Sequence, residues 1–173
     1  MHPASAPSPS PRPDTEAVNL RPLTEADRAR VHEILSAPEV AQWWGDPDEE
    51  TDGLLAKDEQ AYAIEHNGHT VGVIQSWQEL DHRYRHAGID LAVHPDHYGL
   101  GLGAQAIRTL AQRLFDQGHH RITIDPAAAN VRAIHVYEKL GFRRVGILRD
   151  YEQGADGTWH DGLLMDLLKG ELK

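Results

Sequence analysis

Apolar and polar positions alternate over residues 18–23 up to a proline, which predicts a first strand. Thr24, with Asp27 three positions on, then caps a helix whose apolar positions Val31, Ile34 and Leu35 share one face. That helix has to stop before Pro38, because the residue preceding a proline is pushed out of the α region. Residues 40–45 read as a helical turn carrying Trp43 and Trp44, and the acidic stretch 46–59 has room for one more helix. Period-two alternation over 61–65 and 70–79, on either side of His66-Asn67-Gly68-His69, predicts a hairpin, since Asn-Gly accepts the positive φ of a tight turn. Residues 87–93 form a third strand of the sheet core. Ala106, Ile107, Leu110, Leu114 and Phe115 recur at helical spacing up to Gly118, 121–125 is a short buried strand, and 130–140 is an amphipathic helix ended by Gly141. Residues 142–149 and 159–168 complete the pattern as a strand pair. The sum is an α/β (α+β) chain of about seven strands and four helices, without internal repeats.

Composition narrows this to one domain over residues 17–173. The chain has 173 residues, 40% hydrophobic and 25% charged, an ordinary globular balance. Residues 1–16 hold half of the ten prolines among Ser and Ala with no apolar run, so they are expected to be a disordered tail rather than a signal peptide. No stretch approaches a membrane span, and a cytoplasmic location is expected. The formal charge is −10, and taking away Arg12, Asp14 and Glu16 of the tail (net −1) leaves −9 on the domain. That sign argues against nucleic acid and, beyond solubility, favours cationic partners. Twelve histidines, His94-x-x-His97 and His119-His120 among them, lack metal-ligand spacing on one helix face, so no metal is expected. With no cysteine, no cysteine thioester can form.

The chemistry concentrates in two stretches. In Tyr98-Gly99-Leu100-Gly101-Leu102-Gly103-Ala104, alternating glycines ahead of a helical pattern let backbone N–H groups approach a pyrophosphate at a helix N-terminus. In the second, Asn130-Val131-Arg132-Ala133-Ile134 leads to Tyr137-Glu138-Lys139 and Gly141-Phe142. The glycine run alone also fits a dinucleotide fingerprint, with Asp125 as its acidic residue. Five residues between the strand end at Val93 and Gly99, and too little chain after Asp125 for another βαβ unit, argue against that reading. No Gly-Lys-Ser/Thr follows, so a P-loop is excluded. Asp90, flanked by apolar residues on a central strand, would be expensive to bury unpaired and should face a cleft. Asp125 before Pro126 either closes a strand by an Asx turn or holds an amine. Adjacent indoles at Trp43 and Trp44 cannot both point inward from one helix face, so at least one is expected to line a cleft.

The glycine loop, Asn-x-x-Ala, Tyr and Gly-Phe in this order resemble the GNAT superfamily of N-acetyltransferases from about Asn19 to the C-terminus. The resemblance implies a mixed, twisted sheet splayed at an acetyl-CoA site. It places the cofactor against Leu91, Ala92 and Val93, the loop Tyr98 to Ala104, and Asn130, Ala133 and Tyr137. It also implies Tyr137 as general acid near the CoA sulfur. Val40 to Gly45, Gln75-Ser76-Trp77, Gly88-Ile89-Asp90 and Asp125-Pro126 are further similar to the aminoglycoside 6'-N-acetyltransferases. They imply Asp90 as base or amine anchor, with Trp43, Trp44, Gln75, Trp77, Asp90 and Asp125 holding a cationic amine. Direct attack in a ternary complex, by a monomer or homodimer, is then expected. Siderophore-pathway acyltransferases resemble the chain through Trp-Trp-Gly and Asp-Pro, and a non-catalytic acyl-CoA-binding module is the reading from another class. Two departures stand out. Tyr98 and Leu100 occupy positions where the superfamily carries a cation or Gln, so the backbone has to do more at the pyrophosphate, and segment 46–59 differs where the acceptor would touch.

Overall fold

The computed structural model describes residues 17–57, 60–154 and 156–173, so the tail expected over 1–16 lies outside it. One seven-stranded sheet has the order β1-β2-β3-β4-β5-β7-β6. Its strands are β1 (Asn19–Pro22), β2 (Ala61–His66), β3 (His69–Glu79), β4 (His86–Val93), β5 (Arg121–Ile124), β6 (Arg143–Gln153) and β7 (Trp159–Leu168). All neighbours are antiparallel except β4 and β5, joined as a parallel pair through helix α4 (Leu102–Asp116). This is the mixed sheet expected.

The alternation of apolar residues along the strands covers both faces of the sheet. Ile64, Ile74, Ile89 and Ile122 pack with Ile107, Leu110 and Leu114 of α4 and with Ile134 and Leu140 of α5 (Val131–Leu140). The opposite face puts Val73 and Ala92 against Val31, Ile34 and Leu35 of α1 (Arg28–Ser36) and Leu54 of α3 (Pro47–Leu55), with Val40 from the single turn α2 (Pro38–Ala41). Pro38 begins α2 where the first helix was expected to stop, and the acidic segment does hold a helix, capped by Asp46. Burying these largely apolar faces is the main stabilising term of such a domain. A half-buried corner fixes the β1 edge: Arg21 donates to both oxygens of Asp27, at 3.0 and 2.8 Å, and to Glu65 at 2.8 Å. The guanidinium holds the Asp27 carboxyl down at about 2.

Two features of the sheet position the site. First, β4 pairs with β5 only at Ala87–Ile122 and Gly88–Thr123. Past Gly88, β4 stays paired with β3 as far as Val93 but has no partner on its β5 side, which is the splay. Second, β6 is longer than the expected 142–149 and reaches Gln153. Its register with β7 shifts between Leu148 and Glu152, where Asp150 takes a φ of +48° and its amide donates to the Asp161 carboxylate at 2.9 Å. The bulge carries Tyr151 and Glu152 back toward β5, as bulges beside sites do.

Candidate active site

On one side of the splay the loop from Tyr98 leads into α4. Gly99 and Gly101 have φ of +80° and +74°, a left-handed backbone that side chains disfavour, and Gly101 is the N-cap of α4. The amide of Gln105 closes onto the Gly101 carbonyl at 3.1 Å, and those of Leu102, Gly103 and Ala104 precede it without a helical acceptor. Gly103 differs from the other two: a Cβ there would meet Leu91 and Val93 side chains at 3.5 Å, ordinary contact, so only two of the three glycines are demanded by geometry. A cavity of about 1040 Å³ opens here. Leu91, Ala92 and Val93, the loop and helix start from Tyr98 to Ala104 other than Leu100, and Asn130, Ala133 and Tyr137 all line it. Leu100 lies outside that lining and is half exposed. Asn130 also caps α5, its side-chain oxygen accepting the Ala133 amide at 3.2 Å.

Across the sheet the carboxylates gather. Strand register sets Gln75 opposite Asp90 and Trp77 opposite Gly88. A Cβ at Gly88 would fall 2.0 Å from the Trp77 ring, so glycine is what lets the indole lie over β4. Trp77 also meets His86 edge-on at 5.0 Å. Gln75 donates to Asp90 at 3.4 Å, and its own carbonyl oxygen is buried with no partner among the described residues. Asp90 is exposed at the cleft, with protein crowded around its other sides. That enclosure, then the charges of Asp125 and Glu50, outweigh the hydrogen bonds from Gln75 and the Leu91 amide and push it up to about 7. Asp125 accepts a short hydrogen bond from the Tyr151 hydroxyl. The Tyr151 phenol is raised to about 12, chiefly by that bond. A Cβ at Gly162 would press on the Tyr151 ring at 2.8 Å, so glycine there makes room for it. Glu50 is shifted up by burial, with Lys57 opposing and Glu49 adding to the rise, and Glu152 is shifted up by burial and then by Glu50 and Asp125.

Glu50, Tyr151 and Glu152 are members of this site that sequence reasoning missed. Among the described residues no three His, Cys, Asp or Glu side chains converge as metal ligands.

Tyr137 links the two sides. It hangs from α5 into the cofactor cavity, 8% exposed, its ring 6.1 Å from that of Phe142. Burial raises its phenol above the ordinary tyrosine value, and Asp90 and Asp125 add to the rise. Tyr137 makes no side-chain hydrogen bond among the described residues, which leaves the hydroxyl able to donate to a substrate. Trp43 and Trp44 border the cofactor cavity and also a second one of about 370 Å³, which Trp159, Glu152 and Asp161 share.

The sequence model of the Acetyltransferase (GNAT) family matches residues 21–142. An aminoglycoside N(6')-acetyltransferase type 1 of Klebsiella pneumoniae is 34% identical over 157 residues, covering 76% of each chain. The spermidine N(1)-acetyltransferase of Escherichia coli K12 is 26% identical over 167 residues, 88% of this chain and 87% of that one. Among solved structures, AAC(6')-Ib in complex with ribostamycin and coenzyme A superposes with a TM-score of 0.71 at 28% identity, over 89% of this chain and 94% of that one.

Proposed function

The chain belongs to the GNAT acetyltransferase family and is an acetyl-CoA-dependent N-acetyltransferase; from that premise we propose that its acceptor is a polycationic small-molecule amine, the 6'-amine of an aminoglycoside first of all. The observation that carries this is the splay itself. Beside the gap between β4 and β5, Tyr137 of the cofactor cavity is near enough to Asp90 and Asp125 for their charges to raise its phenol, and Glu50 and Glu152 stand near those two. Asp125 and Glu50 raise Asp90, and Glu50 and Asp125 raise Glu152, so ammonium groups entering among these carboxylates relieve that repulsion. The indoles of Trp43, Trp44 and Trp159 along the adjoining cavity offer flat apolar faces for sugar rings, which favours an aminoglycoside over a linear polyamine.

Acetyl-CoA supplies a thioester carbonyl activated for attack by an amine. Asp90, poised near 7, accepts the proton that the amine nitrogen sheds as it bonds to the carbonyl carbon and the C–S bond breaks. Tyr137, protonated at every working pH, donates a hydrogen bond to the departing sulfur. Its raised pKa makes full transfer to a thiolate of about 8.5 uphill. A bound ammonium and the proton now on Asp90 cancel the two charges that help hold the phenol up, which eases delivery at the moment it is needed. The balance is amine plus acetyl thioester to amide plus thiol: Tyr137 gives the thiolate its proton, and the proton taken up by Asp90 restores the phenol by way of solvent in the cleft.

Thiol release against a panel of amines tests the acceptor class. A 6'-amino aminoglycoside is expected to be acetylated once and faster than spermidine or a lysine derivative, while its 6'-hydroxyl counterpart binds without turnover. Spermidine or a lysine-derived siderophore precursor outpacing every aminoglycoside would reject the aminoglycoside reading.

A further inference from the structure

Tyr98 and Leu100 leave the glycine loop without a charged side chain of its own, yet a cation stands over it from another element. Arg132, in the first turn of α5, stacks on the Tyr98 ring with its guanidinium carbon 3.4 Å from the ring centre. Both residues line the cofactor cavity, and Tyr98 directly precedes Gly99. Arg21, Arg28, Arg30, Arg121, Arg143 and Arg144 pair with carboxylates, and Arg108, which also lines the cavity, donates to the main-chain oxygen of Lys173 at 2.7 Å. Arg132 has no ion pair and no hydrogen bond among the described residues, so its donors are unspent. A guanidinium whose carbon sits over an aromatic ring spends no N–H donor on that contact, so its donors remain for a phosphate oxygen pair.

We propose that Arg132, held by Tyr98, is the cation that binds the pyrophosphate of acetyl-CoA, in place of a basic side chain within the loop. Tyr98 is the positioning residue: its ring fixes an otherwise mobile guanidinium at the rim of the cradle formed by the Gly99–Gly103 backbone. The inference rests on the cavity being the acetyl-CoA site and does not depend on the acceptor.

Calorimetric titration of the full chain with CoA, 3'-dephospho-CoA and pantetheine tests it, since the last lacks both phosphate groups. Arg132→Ala is expected to weaken CoA and 3'-dephospho-CoA alike by roughly 10- to 100-fold, the range of a charge-assisted hydrogen-bond pair, and to leave pantetheine unchanged. Tyr98→Ala is expected to cost about 3-fold in the native background and nothing when Arg132 is already Ala, whereas Tyr98→Phe keeps the stack and the affinity. Unchanged CoA affinity in Arg132→Ala overturns the proposal. So does an equal loss for pantetheine, which would make Arg132 a structural residue of α5, and so does a loss confined to CoA, which would assign Arg132 to the 3'-phosphate. A native chain that bound none of the three would overturn the cavity assignment beneath it, a separate failure.

Discussion

Replacing Asp90 by Asn is expected to lower kcat by about 10²–10⁴-fold, the contribution of a positioned general base, without unfolding the protein. The pH dependence identifies the group. Asp90 works as a carboxylate, so kcat/KM should climb with pH along a limb near 7, the value to which enclosure, Asp125 and Glu50 raise it. Asp125→Asn removes one of those charges and should move the limb to lower pH, and Asp90→Asn should abolish it. Stability runs the other way. The folded state keeps the Asp90 proton up to about 7, whereas an unfolded chain releases it near 4. Between those values the folded state binds more protons, so stability falls as pH rises through that window. Asp90→Asn escapes this penalty and should melt at or above the native temperature at pH 8. A variant with full activity, or one inactive only because it has unfolded, contradicts the assignment.

Tyr137→Phe is expected to lower kcat by roughly 10²–10³-fold with CoA affinity nearly kept, because the ring stays packed on Phe142 and only a donor to the departing sulfur is lost. The hydroxyl has no hydrogen-bond partner among the described residues to orphan, so the melting temperature should hardly change. If thiol release and CoA affinity are both untouched, Tyr137 serves the core alone. Because the phenol is held above its ordinary value, the native enzyme should show no loss of rate up to pH 9 that Tyr137→Phe removes.

Much of this site could be read from the chain because its parts sit where a strong local signal exists. Glycines at 99 and 101 are needed for left-handed backbone, Asn130 for a cap, and Asp90 breaks an apolar strand, so each is visible against its neighbours. The residues missed have no such contrast. Tyr151 and Glu152 lie past the bulge at Asp150, where β6 leaves the alternation that marked it, and that strand is exposed on both faces, so hydrophobic periodicity is silent there. Glu50 is one acid among several in α3, and nothing in its local pattern marks it as the one whose charge reaches Asp90. Arg132 lies inside the Asn130 motif, but its partner Tyr98 is brought to it by the crossover from β4 through α4 to β5. Gly88 and Gly162 look like ordinary strand glycines until the rings of Trp77 and Tyr151 are seen to lie on them.

The central claim is that the splay between β4 and β5 brings amine and thioester together, so that acetyl passes directly between them. Initial-velocity kinetics with acetyl-CoA and a 6'-amino aminoglycoside varied together tests it most directly, with the intact mass of the protein recorded after acetyl-CoA alone. Intersecting lines in the double-reciprocal plot and an unmodified chain are the predicted result. Parallel lines accompanied by an acetylated protein would mean that a side chain carries the acetyl group between two separate half-reactions, and would contradict the account.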